Sequence, residues 1–465
     1  MFNRLINLLS FFMIFFFISC DSEETTSSDS SDSTDTVEEV DPCAVDPVYV
    51  SFQSEIDAAS DGDTILVAQG TYEGNINFNG KNVVVASEYA TTGDTSYIRT
   101  TIIDGKQNGS VVRFENNETN QAALIGFTIT GGYAVKGAGI YISGGAEPTL
   151  SNLRVSGNST YICETNDYYD EAEGGGIYVN GGSPILEETT IRDNSSELNG
   201  GGLYFANTDL DLINITVFNN TASNWGGGLF TTTTTSELKH SDISLNSAAR
   251  GGAIYAQTFS DLEITNSIIG YNSASDEGGA FHNTASTFDF VNVAVAYNES
   301  DGQGGAYFMN GTATYKLMNV INLYNEPQDF YGVNSGNFAK IDYSGVTGLL
   351  EDIEINNSGD VQWGIGNLDD DGGENFSNGT HLCVYALSND SGSQSNKSQF
   401  SDAGNPSSLY NDIPYGLDRW CAVDEYENFT NFEALDVTVD TTSNSERNDM
   451  GGYGGPEGGW RRNSR

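Results

Sequence analysis

Positive charge is what this chain most lacks: 18 Lys and Arg stand against 65 Asp and Glu, for a net charge of -47. That balance excludes nucleic-acid phosphates as a partner, because binding them needs a basic patch that releases counterions. With 3 His, 5 Cys and no C-x-x-C pair, no zinc site can be assembled. Proline, at 8 residues, is too scarce for an extended Pro-rich linker, and charged residues, at 18%, are too few for ion-pair-laced helices. What is plentiful is Gly, at 54 residues, together with 24 Phe and 24 Tyr. Turn residues between short apolar runs point to an all-β chain.

One long apolar run exists, Leu5 to Ile18, preceded by Arg4 and too short to span a bilayer; it reads as the core of a signal peptide. It ends in Ser19-Cys20, which resembles the lipobox of bacterial lipoproteins and implies that Cys20 carries lipid and becomes the mature N-terminus. The stretch Asp21 to Asp41 holds nine acidic residues, ten Ser or Thr and no Lys or Arg, a solvated tether unable to bury apolar surface. Its first acids, Asp21, Glu23 and Glu24, are similar to the surface-export signals of some Gram-negative lipoproteins. The expected topology is a lipid-anchored body on the outer face of the outer membrane, monomeric, with no other membrane contact. Cys43, Cys163, Cys383 and Cys421 can pair in three ways in an oxidising exterior, and Cys383 with Cys421 is the favoured pair because they share one segment.

The repeat carries most information. GAGIY (137 to 141), GGGIY (174 to 178), GGGLY (200 to 204), GGGLF (226 to 230), GGAIY (251 to 255), GGAFH (278 to 282) and GGAYF (304 to 308) recur at steps of 25 to 27 residues, with one step of 37. Asn158, Asn194, Asn220, Asn246, Asn272, Asn298 and Asn325 form a second column with the same spacing, and a further polar column runs through Asn152, Glu188, Asn214, His240, Asn266, Asn292 and Asn319. Eight positions before each Asn of the first column sits Leu, Ile or Phe, and three positions before each but the last sits Val or Ile. A coil of this length cannot bury its apolar face alone and must stack on copies of itself. The expected fold is a right-handed parallel β-helix of about 26-residue coils, with an amphipathic helical cap over Phe52 to Ala59. The chain divides into a leader (1–19), a tether (20–45), the β-helix (46–345), and C-terminal coils with an irregular capping region (346–465).

SEIDAASDGDTILVAQGTYEGNINFNGKNVVVAS, TIIDGKQNGSVVRF and LIGFTITGGYAVKGAGIY resemble secreted bacterial β-helix proteins of the pectin-lyase-like superfamily. FNNTASNWGGGL and SLNSAARGGAIY are similar to the repeats of polymorphic outer-membrane proteins. The resemblance covers most of residues 50 to 460, departs at 387–399 and 413–446, and implies either a binding surface or a polysaccharide lyase or hydrolase. The paired-Asp and lyase signatures of the enzymes are missing, so no catalytic residue is assigned; the mixed cluster Lys239, His240, Asp242, Arg250 and His282 reads more simply as ladder substitutes.

The residues closing each glycine motif, Tyr141, Tyr178, Tyr204, Phe230, Tyr255, His282 and Phe308, alternate with aliphatics. If the aliphatics fill the bore, this column faces outward and offers a stripe for sugar rings to stack on. Two alternatives stand beside that: an aromatic stack that stiffens the sheet or lies under a loop, and a reversed face. Two acidic groups, Glu164 to Glu173 and Asp369, Asp370 and Asp371, are candidate calcium sites, and no other cofactor is implied. The function expected is adhesion or glycan binding, the partner being a polysaccharide or another surface protein. Polysaccharide cleavage and a plain structural spacer are the alternatives.

Overall fold

The structure is a computed structural model that describes residues 48–163, 171–333, 336–342, 345–347, 353–355, 360–363 and 368–370, with side chains up to Ile341. Cys20, the leader and tether, Cys383, Cys421 and the region beyond 370 lie outside the described residues.

The coil 226–250 shows the building plan. Gly226, Thr233, His240 and Leu245 each adopt a positive φ, from 52° to 67°. A single left-handed residue turns the chain sharply, and four of them close one circuit. Between the corners run four straight limbs: Leu229–Thr232, Thr235–Lys239, Asp242–Ser244 and Ser247–Arg250. Each limb pairs in parallel with its copies one coil before and after, as Leu229 does with Leu203 and Ile254. Among the described residues, the first limb stacks into an 11-stranded sheet, the fourth into a 7-stranded sheet, and the second and third together into a 21-stranded sheet. From Asp261 to Leu323 the second and third limbs join into 10-residue strands that keep their left-handed corner at Asn266, Asn292 and Asn319. Parallel pairing continues past residue 345, through Ile353–Ile355 and Asp360–Trp363, to Leu368–Asp370. The protein is an all-parallel β-helix.

Alternation within each limb fills the bore. Leu229, Leu238 and Ile243 point inward, as do Ile254, Ile264 and Ile269 one coil on. Toward the C-terminal end the bore becomes aromatic, with Phe281, Tyr307 and Phe330 stacked rung on rung at 5.3 and 4.3 Å. The residue after each corner also turns inward: Thr234, Ser241 and Asn246 are at most 2% exposed. Glycine is required where coils pass closest. A Cβ on Gly201 would lie 2.4 Å from the Thr221 carbonyl oxygen.

The open first rung is met by a helix, Gln53–Ala58, whose Ile56 is fully buried. Gln53 Nε2 donates to the Asn77 carbonyl at 2.8 Å and its Oε1 accepts the Asn77 N–H at 3.0 Å. The side-chain amide thus replaces a neighbouring strand on an edge that would otherwise be unpaired.

Candidate functional site

The aromatic column lies on the outside of the first limb, opposite the bore, as alternation requires. It is not an open platform. Tyr178, Tyr204, Phe230, Tyr255, His282 and Phe308 are 1 to 8% exposed, and Tyr141 is half-buried. Successive rings stack face to face at 4.5 to 5.6 Å with interplanar angles of 4 to 22°. Ring faces satisfied by one another leave no face for a sugar, and the column takes the form of the second alternative, a stack that stiffens the sheet.

A second column covers it. Lys136, Glu173, Asn199, Trp225, Arg250, Glu277 and Gln303 precede the seven stacked residues by five positions and bridge rung to rung. The Lys136 ammonium stands 5.6 Å over the Tyr178 ring, and Trp225 stacks on Phe230 and Tyr255 at 6.1 and 5.1 Å. Glu277 bonds His282 Nε2 at 3.2 Å and Arg250 Nε at 3.1 Å. This cover perturbs Tyr178, Tyr204, Tyr255 and His282 beneath it. Burial raises the Glu173 carboxyl against the opposing pull of Lys136 and the Tyr204 hydroxyl. It also pushes Tyr178 up to about 12. For Lys136, burial acts downward but Glu171, 2.8 Å away, and Glu173 outweigh it, and the ammonium stays charged. Burial lowers the His282 imidazole despite Glu277.

The structure does not gather the mixed cluster into one site. Lys239 pairs with Glu237 at 2.5 Å, and Ser244 Oγ donates to Asp242. His240 occupies a corner, where Nε2 meets Asn266 Nδ2 at 3.3 Å as a member of the second polar column. Arg250 pairs with Asp276 and Glu277 in the cover, and His282 stays in the stack. Among the described residues no group of three or more His, Cys, Asp and Glu is placed to hold a metal ion. Asp369 and Asp370 lie in the strand Leu368–Asp370 rather than in a loop; their side chains, Asp371 and residues 164–170 lie outside the described residues. Cys163 is disulfide-bonded to a partner that lies outside them too.

The outward face of the second limb is an open surface. Asp211, Glu237, Glu263, Asp289, Lys316 and Lys340 are cross-strand partners in unbroken register. Four carboxylates therefore project side by side at about 4.8 Å per rung. Flanking columns carry Asp209, Thr235 and Asp261 on one side and Lys239 and Thr265 on the other. Glu263 is held above the usual carboxylate range by partial burial, then by the like charges of Glu237 and Asp289. Lys316 bridges to Asp289 at 2.8 Å and closes the acidic run. Ionised carboxylates accept two or more hydrogen bonds, which suits paired hydroxyls. The signal was present in the sequence: each of these acids stands nine residues before an Asn of the first column.

A family model described as a right-handed β-helix region matches residues 89–248. The catalytic unit of a thermostable GH87 alpha-1,3-glucanase from Streptomyces thermodiastaticus strain HF3-3 overlaps 70% of this chain and 67% of its own, at 12% identity and a TM-score of 0.29, a likeness too slight to carry an argument. No curated protein sequence matches the chain. Corner geometry, parallel register and family match together make this chain a right-handed parallel β-helix.

Proposed function

We propose that the protein is a surface-held binding protein that lays a neutral, hydroxyl-rich polysaccharide along the outward face of its second limb and does not cleave it. The observation that carries this reading is the in-register row Asp211, Glu237, Glu263 and Asp289, a periodic line of acceptors for a periodic polymer. The acidic body repels polyanionic chains and selects neutral ones. In this reading Cys20 holds the lipid and the acidic tether lifts the β-helix clear of the membrane.

Hydrolysis is the second reading, favoured by Glu263 alone: a carboxyl of raised pKa between two other carboxylates is the arrangement of a general acid beside its partner. An array of neutral and acidic glycans, probed with the full chain and followed by a measurement of released reducing ends, separates the readings. Retention on neutral glycans without release supports binding, release moves the assignment to hydrolysis, and absence of both leaves a spacer.

A further inference from the structure

In a chain with 18 Lys and Arg against 65 Asp and Glu, basic side chains that converge on one face stand out. They do so on the outer face of the third limb, early in the stack. The strands Arg154–Ser156 and Thr190–Arg192 are parallel neighbours, with Arg154 opposite Thr190 and Ser156 opposite Arg192. Val155 and Ile191, between them, point into the bore. Alternation therefore sends all four flanking side chains to the outer face, where each is half-buried. The result is a square with two guanidinium groups on one diagonal and two hydroxyls on the other. One rung of about 4.8 Å and two residues of about 3.3 Å each set the arginine Cα atoms roughly 8 Å apart. A third arginine, Arg99, belongs to the helix Ser96–Thr100 beside them. That helix is tied down where the hydroxyl of Thr128, the cross-strand partner of Arg154, donates to the Ile98 carbonyl at 2.7 Å.

The square is short of negative charge. Arg192 gives its Nε to Asp193 at 2.6 Å and lays its guanidinium over the Phe218 ring at 5.1 Å. Among the described residues the Arg154 side chain and the hydroxyls of Ser156 and Thr190 make no hydrogen bond or ion pair. Burial holds the Arg154 guanidinium below the usual arginine range; the charge of Arg192 adds to this, Asp193 opposes it and Arg99 reinforces it. Asp193 neutralises Arg192, so one positive charge, that of Arg154, stays uncompensated within the square.

We propose that this square is a binding site for the carboxylate of a small, singly charged ligand. A guanidinium presents two parallel N–H groups that match two coplanar carboxylate oxygens, and the Ser156 and Thr190 hydroxyls can donate to the lone pairs left over. One uncompensated positive charge suits a carboxylate better than a doubly charged sulfate, and the field of the acidic body turns away polyanions. The site lies on a different limb from the acidic row and stands whether or not that row binds glycan.

The test is calorimetric titration of the full chain, at constant ionic strength, with sodium glucuronate, with glucose as its uncharged counterpart, and with sodium sulfate. Glucuronate is expected to bind at one site per chain and glucose not to bind there. Arg154→Gln should weaken glucuronate by about tenfold or more through loss of a charge-assisted pair. Lys106→Gln, which removes a charge paired elsewhere with Glu73 and Asp104, should leave it unchanged. No heat with glucuronate, equal affinity in the Arg154→Gln and unaltered chains, or sulfate bound in place of glucuronate overturns the inference. Should Arg154→Gln fold poorly, the melting temperature of the unaltered chain decides. Glucuronate should raise it more than glucose with matched sodium chloride does, and equal shifts overturn the inference.

Discussion

Asn246 closes one seam of the coil stack by itself. Its Oδ1 accepts from the Asn220 backbone N–H at 2.9 Å and from Asn220 Nδ2 at 3.0 Å. Its Nδ2 donates to the Val217 carbonyl and to Asn272 Oδ1. The same pattern links Asn158 through Asn325, and the side chains from Asn158 to Asn298 are at most 1% exposed. Replacing Asn246 with Leu orphans several buried groups at once, each costing roughly 1–3 kcal/mol. Asn246→Leu should therefore lose at least about 3 kcal/mol in denaturant unfolding. Asn207→Gly, at an exposed corner with φ 51° and one side-chain bond to Asn180, should lose less than about 1 kcal/mol. Equal losses would contradict the ladder. This column was legible in the sequence because one residue type repeats without interruption. The hydroxyl ladder one corner earlier, where Leu153 N–H donates to Thr189 and Ser241 N–H to Ser267, was not, because Thr, Ser and Ile alternate along it.

At the scale of the element, alternation gave the direction of the aromatic column correctly and its accessibility wrongly. A residue facing away from the bore is exposed only if nothing covers it, and here the covering side chains start from the corner five residues earlier. Trp225 and Glu277 share no residue type, so no column in the sequence announced the cover. The consequence reverses the expectation of an open stripe. Tyr204→Ala and Tyr255→Ala should each destabilise by about 3 kcal/mol or more, as for other buried aromatics. Below the melting transition, both variants should keep wild-type glycan retention. Loss of retention in a fully folded variant, shown by unchanged circular dichroism, would restore the stripe as a binding surface.

Over the whole molecule, the period fixed the architecture in advance because a parallel coil stack turns equal sequence spacing into spatial contact. The glycine motifs, both polar columns and the inward aliphatics all fell where the 26-residue step placed them. The acidic row did not emerge in the same way. Its acids are a mixture of Asp and Glu, give way to Lys316, and are diluted in a chain that is acidic throughout. Only the register brings Asp211, Glu237, Glu263 and Asp289 into one line, an open periodic surface where the aromatic stack is closed.

The most direct measurement is therefore retention of the full chain on immobilised neutral polysaccharide, compared with the triple variant Glu237→Gln, Glu263→Gln, Asp289→Asn. The substitutions relieve the repulsion around Glu263 but also remove the surface pairs of Glu237 with Lys239 and Asp289 with Lys316, each worth little, so the melting temperature should stay nearly unchanged. Retention should fall at least tenfold. Undiminished retention by a variant that melts like the wild type would contradict the account.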